Sequence, residues 1–400
     1  MALPLVKLKL QRPDRLSHPW VFDNEVASGP DAATSEFTPG DVVRILDSKG
    51  KGSGIGYYNP KSKIAVRYLT RRTDAVINAG FWKSRIAAAL AYRKANCSEA
   101  GGLPLLYRLV HGEADGLPGL VVDRYGDFAV VQFLALGLEP WRKEIVAALV
   151  ETTGVRGIYE RSDSAVRKLE GLEERTGVIY GETPPEVLEI PDGNSIVLAD
   201  LQNGAKTGLF LDQRQNQLFA SRFARGRHLI NCFAYTGLFS LRAAAEGAAS
   251  VTDVESSEVF NKINEAQWER NGLSTPHTVI AQNVFDYLRQ LEREKVQTDM
   301  IVLDPPAFTK NRASREGAAR GYNEINRVAL GLLKPGGILI TCSCSHHLDA
   351  AEFREIVRSA GRDAGRTLRL VEQRGQPADH PVLMEAPESE YLKCLAISVL

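Results

Sequence analysis

Asp299-Met300-Ile301-Val302-Leu303-Asp304-Pro305-Pro306 and Gly336-Gly337-Ile338-Leu339-Ile340-Thr341-Cys342-Ser343-Cys344-Ser345 decide how this chain is read. Each is an apolar run rich in Ile, Val and Leu that stops abruptly at polar chemistry, as a strand buried on both faces of a parallel sheet does. In open α/β sheets, ligands bind in the crevice beyond the carboxyl ends of the strands. Asp304 and Cys344 are therefore expected to face one site.

Working outward, strand and helix alternate from Leu229: Leu229–Cys232, Gly237–Glu246, Ser250–Val254, Glu258–Asn271 and Thr278–Ala281 precede the Asp304 strand. The alternation predicts a doubly wound sheet. Phe233-Ala234-Tyr235-Thr236-Gly237 falls at the first strand-to-helix turn, where a nucleotide-like ligand would lie against a helix amino terminus. The full G-x-G-x-x-G is absent, and a tight turn explains Gly237 about as well. Glu255 ends the second strand, close to the position about 20 residues downstream at which an acidic group reaches ribose hydroxyls. Asp253, two residues earlier, is expected to point the same way. Asn283 follows the third strand and reads as an adenine contact or as a turn residue.

Towards the amino terminus the pattern changes. From Leu5 to about Thr73, short apolar runs such as Val42–Leu46 and Ile64–Leu69 alternate with Gly, Pro and Asp, which predicts a small β-domain. Gly52-Ser53-Gly54-Ile55-Gly56 invites a nucleotide-loop reading. Tyr57-Tyr58-Asn59-Pro60 stands where the phosphate-binding helix should begin, so a turn or bulge is expected instead. Phe81–Asn96 reads as an amphipathic helix, followed by strands Leu105–Val110, Gly119–Asp123 and Phe128–Leu134 and a helix over Pro140–Glu151. The expected division is residues 1–80, 81–190 and 191–400.

The 49 Lys and Arg balance the 49 Asp and Glu, so no global field points to a nucleic-acid partner. Residues 1–73 are locally basic, with 12 Lys and Arg against 7 Asp and Glu. Lys61, Lys63, Arg67, Arg71 and Arg72 form an acid-free cluster that suits a phosphate backbone or, more plainly, a solvated face. No apolar run approaches the roughly 20 residues of a membrane span. Met1–Lys9 lacks a signal-peptide layout, and a cytoplasmic protein without a membrane partner is expected. Five cysteines without framework spacing point to reduced thiols.

Five segments together carry a resemblance: Lys206-Thr207-Gly208-Leu209-Phe210-Leu211-Asp212-Gln213-Arg214, the Tyr-Thr-Gly turn, Asp304-Pro305-Pro306-Ala307-Phe308, Ser343-Cys344-Ser345 and Pro387-Glu388-Ser389-Glu390-Tyr391-Leu392-Lys393. They resemble the class I S-adenosylmethionine-dependent methyltransferases that modify cytosine C5 in large-subunit (23S) ribosomal RNA, over nearly the whole chain. The resemblance implies an α/β protein: a PUA-like RNA-binding domain, a small central α/β domain and a Rossmann-like methyltransferase domain. It implies S-adenosyl-L-methionine as cofactor, with Phe233, Tyr235, Thr236, Gly237, Glu255, Asn283 and Asp304 around it. It also implies large-subunit ribosomal RNA as partner, with Lys61, Lys63, Arg67, Pro305 and Pro306 on the RNA side. A homodimer is compatible with this reading. Some other RNA cytosine-C5 methyltransferases carry a second cysteine at the position of Ala307, so a single catalytic thiol is implied here.

The chemistry fits that expectation. Cytosine C5 is a poor nucleophile, and a thiolate adding at C6 turns C5 into an enamine-like carbon that can accept a methyl group. Cys344 is the candidate nucleophile. A free cysteine is more usually a small buried hydrophobe, and a zinc site from Cys342, Cys344, His346 and His347 is a further reading, although Cys-x-Cys is tighter than the usual zinc spacing. No metal is expected. Asp304 would hold the base edge or assist proton transfer, unless it is only a turn carboxylate, while Pro305 and Pro306 fix an extended backbone. Two rivals remain: methylation of another position such as a guanine amine, which needs no thiol, and a non-catalytic ribosome-assembly factor that keeps the fold.

Overall fold

The strand–helix alternation beginning at His228 builds a seven-stranded sheet. The structure, a computed structural model, describes residues 3–10, 16–30, 37–308, 315–346 and 348–400. The chain divides into two units: Met1–Ile190 with Ala199–Leu211 and Ala378–Ser389, and Pro191–Leu198 with Asp212–Pro377 and Glu390–Leu400.

The strands of the second unit are β1 (His228–Cys232), β2 (Ser250–Val254), β3 (His277–Ile280), β4 (Thr298–Leu303), β5 (Leu333–Ser343), β6 (Leu368–Arg374) and β7 (Lys393–Val399). Their order is β3-β2-β1-β4-β5-β7-β6. β1 to β5 pair in parallel, and β7 enters antiparallel between β5 and β6. The helices are α1 (Arg214–Ser221), α2 (Leu238–Ala245), α3 (Glu258–Arg270), α4 (Val284–Arg293), α5 (Arg315–Leu332) and α6 (Ala350–Asp363).

Side chains alternate across a strand, and β4 shows why its sequence is uniformly apolar. Ile301 and Leu303 enter a core with Leu288, Tyr322 and Phe353. Met300 and Val302 enter another with Phe219, Phe239 and Trp268. Both faces are thus covered, and polar function is pushed to the strand ends. Local signals set the helix starts: Ser257 caps α3, Asn283 caps α4, and Asp349 with Glu352 forms a capping box on α6. Among the described residues no helix is long and apolar enough to cross a membrane.

The first unit holds two sheets. Trp20–Phe22, Ile64–Thr70, Gly52–Tyr58, Val42–Leu46, Leu5–Leu8 and Val26–Ser28 form a six-stranded one in that order. Leu106–His111, Leu120–Tyr125, Phe128–Phe133, Gly157–Ser162 and Arg175–Gly181 form a five-stranded one, with helices at Ala79–Asn96 and Arg142–Thr153. The expected break at residue 80 is not a break in packing: Tyr57 and Leu69 share a core with Trp82, Ile86, Leu109 and Leu138. The Tyr57 hydroxyl also donates to the Pro118 carbonyl.

Gly52–Gly56, expected as a turn or bulge, lies within the strand Gly52–Tyr58, whose register shifts at Ile55/Gly56. Gly54 has φ +149°, and a Cβ on Gly56 would strike the Arg67 carbonyl. The glycines therefore serve a bulged, crowded strand rather than a phosphate loop.

Candidate active site

The turn after β1 is wound tightly. Phe233, Tyr235 and Gly237 have φ of 60°, 51° and 77°, a region that costs a residue bearing a Cβ about 1–2 kcal/mol. The surroundings hold it there. Glu255 Oε2 accepts from Tyr235 N at 3.1 Å, and Gln267 Nε2 donates to the Thr236 carbonyl. The Tyr235 ring meets Phe260 edge-on at 4.4 Å. At Gly237 a Cβ would collide with Asn264 Oδ1, so the glycine is required by conformation and by space.

Glu255 is half-buried just past the end of β2, and its Oε1 accepts from Ser257 N at 2.9 Å. Its carboxylate is therefore fixed beside the turn. Asp253 does not join it. Fully buried, it receives hydrogen bonds from Asn231 Nδ2 (2.8 Å) and Ser240 Oγ (2.5 Å) and lies 2.8 Å from His277 Nε2. The i, i+2 alternation that suggested a shared direction ends with β2 at Val254. Asn283 uses Oδ1 to accept from Phe285 N (2.9 Å) and Asp286 N (3.4 Å), capping α4, a use that neither the adenine-contact nor the turn reading named.

Asp304 follows β4, with its N–H 3.5 Å from the Cys232 carbonyl and Oδ1 accepting from Gln213 Nε2 at 2.8 Å. Pro305 turns inward, and its carbonyl lies 4.0 Å from Cys344 Sγ, whereas Pro306 is exposed. Cys344 itself sits half-buried one residue beyond β5, next to the Asp304-Pro305 segment as its strand position implied. Tyr322 of α5 braces this turn. Its hydroxyl accepts from Ser343 Oγ at 3.0 Å and lies 3.1 Å from Ser345 Oγ. Burial pushes the phenol up. Rings of Phe233, Phe285, Phe308 and Tyr322 meet in succession at 6.4, 5.9 and 4.6 Å, an aromatic wall running from the first turn to the cysteine.

The other cysteines of this unit differ from Cys344. Cys232, Cys342 and Cys394 are fully buried. Cys342 faces Cys394 across β5 and β7, and the hydrogen bond between them, with burial, holds its thiol well above the ordinary range. The thiolate is the reactive form. His346 is exposed and stacks on Tyr391 at 5.3 Å, and His347 lies outside the described residues.

Two residues escaped the reading from residue chemistry. Gln213 and Lys393 stood inside quoted motifs, but nothing in their type assigned them to the site. Lys393 is 5% exposed and its Nζ donates to the Ser345 and Tyr391 carbonyls, both at 2.7 Å. Burial lowers its ammonium to about 8, opposed by its electrostatic interaction with Cys344.

The basic cluster of the first unit is divided. Lys61 and Lys63 are exposed, Lys63 paired with Asp23 at 2.7 Å. Arg67 is 7% exposed and binds Glu113 at 2.9 Å and Glu170 at 3.2 Å. It is withdrawn from the exposed surface on which the cluster was expected: it lies in the strand Ile64–Thr70, where it ties the six-stranded sheet to the helical half of its unit.

Comparison with known proteins gives these features their context. The PUA-like domain family matches residues 6–71, and the S-adenosylmethionine-dependent methyltransferase family matches residues 174–395. Ribosomal RNA large subunit methyltransferase I of Klebsiella pneumoniae (strain 342) is 40% identical over 384 residues, 96% of this chain and 94% of that protein. Its namesake in Shewanella amazonensis is 41% identical over 397 residues, 98% and 99% of the two chains. Among solved structures, a putative methyltransferase from Streptococcus mutans superposes with TM-score 0.82 at 23% identity, covering 100% of both chains, a likeness of fold. The chain is a member of the S-adenosylmethionine-dependent methyltransferases, an α/β enzyme with an amino-terminal PUA-like domain. Within them it belongs to the ribosomal RNA large subunit methyltransferase I family.

The site fits that cofactor. Glu255 offers a fixed carboxylate suited to a ribose diol, the buried Thr236 Oγ1 has no hydrogen-bond partner among the described residues, and Phe233 and Phe285 supply an apolar wall. Replacing Glu255 with Ala should weaken S-adenosylmethionine binding by about 1.5–3 kcal/mol, the scale of a hydrogen bond to a charged group. Calorimetric titration checks this. An unchanged Kd in a variant that melts normally would remove Glu255 from the cofactor site.

Proposed function

We propose that the enzyme methylates C5 of a cytosine in large-subunit ribosomal RNA, with Cys344 as covalent nucleophile. The carrying observation is the setting of Cys344: a half-buried thiol at the carboxyl end of β5, beside the Asp304-Pro305 turn, while Cys232, Cys342 and Cys394 are sealed in the core. The names of the relatives from Klebsiella pneumoniae and Shewanella amazonensis support the RNA substrate.

In this reading the Cys344 thiolate attacks C6, the S–C6 bond forms, and the C5=C6 electron pair becomes available at C5. S-adenosylmethionine, when bound, supplies an electrophilic methyl group. A base then removes the C5 proton, the C5=C6 bond is restored, and the S–C6 bond breaks to release the thiolate. Asp304, oriented through Oδ1 by Gln213, holds the base edge or assists proton transfer. Thr236 and Glu255 bind the cofactor, and Asn283 offers its amide nitrogen to the adenine. Mass spectrometry of ribosomal RNA from a strain lacking the gene tests the product. Loss of one 5-methylcytosine is expected, and loss of a methylated guanine amine instead would overturn the reading.

The PUA-like domain contributes affinity through Lys61 and Lys63. Exposed pairs such as Lys63–Asp23 hold little energy and leave the lysine available to a phosphate. Changing both lysines to Ala should lower the slope of log K against log salt by about 1 to 2, since each released counterion contributes about 0.7–0.9. An identical slope would make these lysines a solvated surface only.

A further inference from the structure

Lys393 is a buried ammonium whose burial is unexplained by packing alone. It lies at the start of β7, opposite Ser343 in register. Two main-chain carbonyls accept its hydrogen bonds, and among the described residues no carboxylate pairs with it. Carbonyls satisfy donors without neutralising a charge, so the arrangement is costly as it stands. The carbonyl of Ser345 belongs to the residue next to Cys344. Lys393 thus both grips the cysteine turn and brings a cation to it.

Asp349, at the cap of α6, and Glu390 act on Lys393 more weakly than Cys344 does. Tyr322 of α5 keeps a neutral hydroxyl between Ser343 and Ser345. Asp304, after β4, acts on the buried Cys342. His346 stacks on Tyr391 at the exposed edge. The group whose ionisation Lys393 is best set to offset is Cys344.

We propose that Lys393 is a positioning residue that fixes the Cys344 turn and supplies the positive charge against which the Cys344 thiol ionises. The thiol proton passes to solvent, and a thiolate–ammonium pair replaces an unpaired buried cation. The inference rests on the reading of Cys344 as nucleophile, and it assigns the activation of that nucleophile to β7.

The test is alkylation of Cys344 by the neutral reagent iodoacetamide in the full-length protein, followed by peptide mass spectrometry from pH 6 to 10. Lys393→Met should alkylate about tenfold more slowly at pH 7, the consequence of moving the titration up by roughly one unit. Lys393→Arg should stay near the wild-type rate. Cys97, in the other unit, serves as internal reference. Superimposable profiles for Lys393→Met and wild type would overturn the proposal. If Lys393→Met does not fold by circular dichroism, Lys393→Gln takes its place, keeping a donor for the carbonyls while removing the charge; a wild-type profile there is equally fatal. Methyl transfer by Cys344→Ser separates the two readings. Retained transfer removes the nucleophile, whereas lost transfer with an unshifted Lys393→Met profile removes the lysine alone.

Discussion

The wild-type enzyme is expected to form a covalent complex with RNA carrying 5-fluorocytosine at the target, and Cys344→Ser is expected to abolish it. Fluorine at C5 leaves no proton to remove after methyl transfer, so the S–C6 bond cannot break and the adduct survives denaturing electrophoresis. Methyl transfer to ordinary RNA should fall by at least about a thousandfold, the scale on which loss of a nucleophile acts. Cys342→Ser is the control. Its thiol is buried against Cys394 and held protonated, so the adduct should persist. Loss of the adduct in Cys342→Ser with retention in Cys344→Ser would reverse the assignment. Normal transfer in both variants would eliminate thiol chemistry and favour methylation of an exocyclic amine.

The second large effect concerns stability. Asp192 is buried between two arginines: Arg214 reaches it with Nη2 at 2.5 Å and Nε at 3.0 and 3.1 Å. Arg242 bonds both its carboxylate and, at 2.9 Å, its carbonyl. All three side chains are under 10% exposed. Asp192→Ala would take their shared carboxylate away from two buried guanidinium groups, a loss of about 3–5 kcal/mol. For a unit of this size that corresponds to a drop in Tm of roughly 6–20 °C. Calorimetry of the folded enzyme reads it directly, and a shift within 1–2 °C, about the effect of an ordinary surface change, would show that the arginines find other partners. Because Arg242 belongs to α2, whose first turn follows Gly237, cofactor affinity should weaken along with the melting temperature.

Much of the second unit was legible because apolar strands leave little choice. β2 has the bounds its sequence implied, and β4 and β5 end where Asp304 and Cys344 were expected. The turn at Phe233–Gly237 and the place of Glu255 at the end of β2 were readable from the strand pattern. Asp253 was misread since periodicity does not continue past a strand end. Arg67 was misread for another reason: a basic residue in a strand looks the same in sequence whether it meets water or, as here, two carboxylates contributed from Glu113 and Glu170. Gln213 and Lys393 lay hidden because only tertiary approach brings the chain before β1 and the strand β7 to the ends of β4 and β5.

The place of β7 in the sheet has a consequence for synthesis. It is the last of this sheet's seven strands in sequence, yet it occupies an interior position between β5 and β6. Until it emerges, β5 presents an unsatisfied edge, and β6 has no sheet to join. During synthesis the chain therefore passes through a stage in which the other six strands are made and the central sheet is still open, a state prone to association. Lys393 opens that strand. Completion of the sheet and the arrival of Lys393 at the Ser345 carbonyl beside Cys344 are then one event, so partly translated chains hold the Phe233–Gly237 turn before the turn around Cys344 is braced.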